Sequence, residues 1–184
     1  MKERWLPLVM LISLVGCAPW TQVGGRVVED SLKFEAELPA GWMRANNAEN
    51  ALYITRDGAL LQYINVQRIE TDNDLKHTKK KFAKDMLPQE VAEIELDDVR
   101  SNPNVTNFEL LENVPATIDG RPGFKLLYTW RTKDGLKLKR LHYGLALAEW
   151  VYRVQYQAPV QHYFDRDFET FERVRASLKF RGYA

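Results

Sequence analysis

Cys17 is the only cysteine in the chain, so no disulfide can form within it. A domain without such a staple is held by its own core. The composition supports one: 45% of the residues are hydrophobic and 11% aromatic, enough for a packed interior rather than disorder. The 184 residues fit one domain with a short appendage. Basic and acidic residues number 26 and 25. A balanced chain lacks the basic excess that nucleic acid demands, so no nucleic-acid partner is expected.

The setting of that cysteine is informative. Lys2 and Arg4 precede an apolar run from Trp5 to Val15 that Pro7 and Ser13 interrupt. A bilayer span needs about 20 apolar residues. A shorter run behind basic residues is a secretory signal. Leu14-Val15-Gly16-Cys17 resembles the lipobox of bacterial lipoproteins. The resemblance implies that residues 1–16 are a signal peptide removed before Cys17, and that the Cys17 thiol and the new amine become acylated. Each buried CH₂ contributes about 0.8 kcal/mol, and two or more chains anchor stably. Ala18 follows, where aspartate would imply inner-membrane retention; in a Gram-negative organism this implies the outer membrane, facing the periplasm. Residues 17–30, with Pro19, Gly24 and Gly25, read as the acylated cysteine and a flexible tether that extends to roughly 45 Å. A short edge strand around Val27 and Val28 is the competing reading.

Residues 31–184 read as one α+β domain. Phe34, Ala36 and Leu38 alternate with charged residues, a strand pattern ended by Pro39-Ala40-Gly41-Trp42. Strands at 51–56 and 59–69 flank Asp57-Gly58, a hairpin signal. Leu75, Phe82, Ala83 and Met86 share one helical face, with Asp74 as cap. Pro88 opens a second, short helix bearing Val91, Ile94 and Val99. Four antiparallel strands are expected at about 107–114, 123–132, 136–146 and 150–156. Tyr163, Phe164, Phe168, Phe171, Val174 and Leu178 then mark a long amphipathic helix.

This order, from Leu38-Pro39-Ala40-Gly41-Trp42 through Asp119-Gly120-Arg121-Pro122-Gly123 and Tyr156-Gln157-Ala158-Pro159 to Ala176-Ser177-Leu178-Lys179-Phe180, resembles the PsbP-like fold. The resemblance covers about residues 31–181. It implies a central antiparallel sheet of about six to seven strands sandwiched between helices. The superfamily includes extrinsic photosystem II proteins, a Ran-binding nuclear-transport factor and DcrB-like envelope lipoproteins. It implies a binding or assembly scaffold without enzyme activity. No photosystem-contact or metal residue of those proteins maps onto this chain, so none is assigned.

The residues themselves offer no catalytic constellation. His77, His142 and His162 have no His-x-x-x-His or cysteine pairing, so no zinc signature exists. Asp72 and Asp74 suit a turn and a cap, Asp97 and Asp98 a solvated helix end, and no EF-hand spacing is present. No serine sits in a Gly-x-Ser-x-Gly frame. Neither a metal nor a cofactor is expected. Two basic clusters remain: Lys76, Lys79, Lys80, Lys81 and Lys84 on the first helix, and Lys133, Lys137, Lys139 and Arg140, joined by Arg131, around the Asp134-Gly135 hairpin. Solvated faces are one reading of them. The functional reading is contact with anionic headgroups or an acidic partner, each Lys or Arg being worth about 1 kcal/mol near such a membrane.

The expected role is a non-enzymatic envelope lipoprotein that binds a membrane-surface protein partner. The alternative is a carrier whose sheet and Phe164, Phe168 and Phe171 enclose an apolar ligand or lipid; a hydrolase ranks third. Replacement Cys17→Ser is expected to abolish lipid labelling and move the protein from the membrane to the soluble fraction. Unchanged labelling and fractionation would remove the anchor.

Overall fold

The computed structural model describes residues 19–48 and 50–183. The signal peptide, the lipobox and Cys17 lie outside the described residues. The chain runs through β1 (Trp20–Glu29), β2 (Phe34–Ala45), β3 (Ala51–Thr55), β4 (Tyr63–Glu70), α1 (Pro88–Arg100), β5 (Thr106–Ile118), β6 (Arg121–Arg131), β7 (Lys137–Leu147), β8 (Trp150–Pro159), α2 (Tyr163–Ser177) and β9 (Lys179–Phe180). All strands join one antiparallel sheet in the order β1-β2-β3-β4-β8-β7-β6-β5, with β9 paired to β2. The sheet is therefore larger than the six to seven strands expected.

The sandwich arises from the period-two alternation of the strands. On β7, Leu141, Tyr143 and Leu145 join the core beneath α2. On β8, Tyr152, Val154, Tyr156 and Ala158 do the same. Phe164, Phe171 and Val174 of α2 close that layer. The other face carries Phe124, Leu126, Tyr128 and Trp130 of β6 with Leu138 and Val151, covered by Val91, Ala92 and Leu96 of α1. Each fully buried large side chain contributes about 1.5–3 kcal/mol. The two helices thus cover opposite faces.

Three expectations change. Most of the stretch read as a tether is strand: Trp20 to Glu29 pair with Ala45 to Phe34, with a register shift between Val23 and Gly25. Gly24 and Gly25 serve that irregularity, Gly25 at φ 78°, rather than marking free chain. Second, the predicted helix around 75–86 is an irregular loop. Lys79 adopts φ 59°, and the Leu75 and Phe82 amides donate to the Lys80 and Thr71 carbonyls. Leu75 and Phe82 are still buried, against the α1 layer; tertiary acceptors outcompeted the local helix. Third, β2 continues through Pro39-Ala40-Gly41, with Gly41 at φ 79°, and the Asp57-Gly58 turn is a longer loop that ends at Tyr63.

Phe124 lies opposite Gly144 in the β6–β7 register, beside Gly123. A Cβ at Gly123 would run into the Gly144 carbonyl oxygen and press on Ile118 and Leu145. Gly123→Ala is expected to destabilise the fold by about 1–3 kcal/mol, measured by urea denaturation. A wild-type midpoint would contradict this packing.

Candidate functional site

The α1 face is not apolar throughout. Toward the C-terminal end of α1 the sheet presents Tyr63 and Gln67 from β4, Arg153, Gln155 and Gln157 from β8, Arg140 from β7 and Tyr128 from β6. These form the floor of a cleft of about 590 Å³. Its walls are Glu95, Asp98 and Val99 of α1, the Lys76–His77 loop, Asn102, Asn104 and Val105, and the Thr132-Lys133-Asp134 hairpin tip.

Two carboxylates of α1 hold the wall in place. Glu95, 2% exposed, accepts from Arg153 Nε at 2.6 Å. Burial pushes its carboxyl up, against the pull of Arg153. Asp98 Oδ1 accepts from the backbone N–H of His77 (2.7 Å) and Thr78 (2.9 Å), and Oδ2 lies 3.2 Å from His77 Nδ1. Burial alone would raise the Asp98 carboxyl, but these donors hold it below its ordinary range. Asp98, expected at a solvated helix end, is instead the clasp between α1 and the loop.

Arg140 sits on the floor. Its Nε donates to Gln157 Oε1 at 3.1 Å, its Nη2 to Tyr63 Oη at 3.0 Å and also to Gln157 Oε1, and its Nη1 to Tyr128 Oη at 3.3 Å. The guanidinium lies 5.1 Å from the Trp130 ring centroid, a cation–π contact. Behind it on β7, His142 is fully buried, packed edge-on against Phe124 at 5.3 Å. Neither of its ring nitrogens has a hydrogen-bond partner among the described residues, and nor does Asn65 Oδ1. Burial, then Arg153 and Arg140, pushes the His142 pKa well below the usual range, so its imidazole is neutral.

The basic clusters are dispersed. Of the loop lysines, only Lys76 lines the cleft; Lys80 pairs with Asp97 at 2.7 Å and Lys81 with Asp74 at 3.7 Å. Lys79 is exposed on the same loop, and Lys84 borders a separate depression with Met86. Of the hairpin group, Lys133 and Arg140 line the cleft. Lys139 lies over the Phe164 ring at 4.5 Å, and Lys137 borders an apolar groove with Leu136 and Tyr163. Lys139 and Arg140 must diverge because adjacent strand residues face opposite ways. Phe164 and Phe171 pack against Tyr156 at 5.0 and 5.6 Å in the α2 layer. Among the described residues no cluster of metal-ligating side chains exists, and no helix is long and apolar enough to cross a membrane. Tyr63, Tyr128 and Gln157 carry no sequence motif, and only strand register brings them together.

No protein-family model matches the chain, and no curated protein does. Solved structures are similar. The solution structure of cyanobacterial PsbP from Synechocystis sp. PCC 6803 aligns with TM-score 0.57 and 15% identity over 94% of this chain and 98% of that one. A Pseudomonas aeruginosa protein of unknown function aligns with TM-score 0.55 and 13% identity over 85% and 96%. A Bacteroides thetaiotaomicron protein aligns with TM-score 0.54 and 13% identity over 86% of this chain but 48% of that one, so the chain spans about half its length. At such identities the likeness shows the fold alone, an α+β domain folded like these structures.

Buried His142 ties the stability of the fold to pH. Its folded pKa is depressed, so the unfolded chain takes up a proton that the folded chain refuses. That loss of stability begins as pH falls through the ordinary histidine value of 6.5. His142→Leu removes two unpartnered nitrogens from the interior. It is expected to stabilise the fold by about 1–3 kcal/mol and to flatten the stability profile between about pH 7 and 5. Denaturation midpoints across that range would show it; a destabilised variant with the slope intact would refute the assignment.

Proposed function

We propose that the chain is a non-enzymatic accessory module of the cell envelope, acylated at Cys17, that engages a partner through the cleft beside α1. The observation that carries this reading is the asymmetry of the sheet. Its α2 face is closed by aromatic and aliphatic side chains. Its α1 face carries Arg140, Arg153, Gln155 and Glu95 at the cleft, with His142 buried behind them. Buried charges and unpartnered polar atoms cost stability that apolar residues of similar volume would restore. Such departures from consistent packing concentrate at functional sites.

Only Ala18 and Pro19 separate Cys17 from β1. Three peptide steps join Cys17 to Trp20, a chain length of about 11 Å at most. Acylated there, the domain rests near the headgroups rather than on the long leash expected from sequence. The PsbP-like fold is compatible with a binding role and does not fix one.

Photocrosslinking in cells tests the surface. A photoreactive residue placed at Lys133 or Asn104, on the cleft rim, is expected to give one discrete adduct. The same group at the exposed Arg173 of α2 is expected to give none. Equal adducts from all three positions, or none from the rim, would remove the cleft from the interaction.

A further inference from the structure

We infer that Arg140 anchors a phosphomonoester subsite at the floor of the cleft, with Lys76 and Lys133 as its outer cations. The inference rests on the cleft being the binding surface. Among the described residues Arg140 has no carboxylate within ion-pair distance, whereas its neighbours do: Arg153 pairs with Glu95 at 2.6 Å and His77 with Asp98 at 3.2 Å. A guanidinium is always protonated. The floor therefore carries one charge that the protein leaves uncompensated at close range.

The hydrogen bonding around that charge is short of acceptors. Gln157 Oε1 alone receives Arg140 Nε, Arg140 Nη2 and the Tyr63 hydroxyl, the last at 2.9 Å. An amide oxygen has two lone pairs, so three donors crowd it. The Tyr128 hydroxyl accepts from Arg140, and its own proton has no acceptor among the described residues. One hydrogen on Arg140 Nη1 is likewise free. An incoming oxyanion supplies the lone pairs that this cluster lacks. The guanidinium would not have to reorganise, because Gln157, Tyr63 and the Trp130 ring fix its plane.

The rim selects charge. Lys76 and Lys133 reach the cleft from two different loops, both exposed and neither in an ion pair among the described residues. The carboxylates that share the cleft are occupied by Arg153 and by the His77–Thr78 clasp, leaving Asp134 exposed at the hairpin tip. One half-buried and two outer cations, with a phenol proton and a guanidinium proton on the cleft floor, match a tetrahedral dianion with three terminal oxygens better than a carboxylate with two. A phosphomonoester can come from a soluble ester or from a lipid headgroup.

Calorimetric titration of the full-length chain with glycerol 3-phosphate, short-chain phosphatidic acid below its micelle concentration, and acetate separates these. Glycerol 3-phosphate is expected to bind at least about tenfold more tightly than acetate. Tighter binding of the short-chain lipid assigns the headgroup as the source; equal binding assigns the phosphate group alone, and both support the subsite. Arg140→Gln is expected to weaken binding at least about tenfold. Lys76→Ala/Lys133→Ala alters only exposed side chains, so its expected loss of about threefold or more cannot arise from unfolding. Phosphate binding no tighter than acetate, or unchanged in both variants, overturns the inference. Rim crosslinks without phosphate binding would retire this subsite and leave the binding cleft; phosphate binding without rim crosslinks would do the reverse.

Discussion

Strand β7 serves two unlike environments at once because successive side chains leave a strand on opposite faces. Leu141, Tyr143 and Leu145 enter the layer under α2, while Arg140 and His142 face α1, Arg140 at the cleft and His142 buried against Phe124. The neighbouring strands keep step. The register sets Arg140 opposite Gln157 and Tyr128, and Gln157 opposite Tyr63, so the guanidinium and its acceptors form one row across four strands. A slip of one residue would invert every face together. The apolar α2 layer thus enforces the register that assembles the polar row, and the stability of one face pays for the chemistry of the other.

Helix α1 is held by specific contacts as well as by apolar burial. Val91, Ala92 and Leu96 bury against β6, but the helix carries two acids turned inward. Glu95 ties it to β8 through Arg153, and Asp98 ties it to the loop at His77 and Thr78. A buried ion pair seldom stabilises more than well-packed apolar residues would. Its specific gain is position: each carboxylate fixes where one wall of the cleft stands. Removing one partner would leave an uncompensated charge inside, so the pairs also resist piecemeal change.

Local pattern identified most of the architecture. The four strands from β5 to β8 follow alternation and short turns, and α2 follows its aromatic spacing. Two regions resisted because their conformation is decided at long range. Residues 75–86 have a helical apolar spacing, yet Asp98, some twenty positions further on, supplies the acceptor that holds the chain as a loop. Residues 20–29 contain paired glycines that suggest free chain, yet β2 offers them a full edge to pair with. The site was less legible. Proximity in sequence groups Arg140 with Lys137 and Lys139, although alternation alone separates it from Lys139. Tyr63, Tyr128 and Gln157 could not be nominated without the β4–β8–β7–β6 order, which no local signal encodes.

The sheet edges bear on how a partner can approach. The outer strands of the eight-strand path are β1 and β5, and an open edge invites strand addition. Neither is a clean template. β5 has register irregularities between Thr106 and Glu109 and between Leu110 and Glu112, and it carries Pro115, which cannot donate to a ladder. β1 is broken at Val23–Gly25 and carries Arg26 and Glu29. Bulges, proline and charge are the devices by which exposed edges discourage pairing. Recognition by backbone augmentation is therefore disfavoured at both ends of the sheet, whereas the cleft offers side-chain donors already fixed in place. A partner that meets this domain finds its unspent hydrogen-bonding capacity at Arg140 and Tyr128, not along an edge.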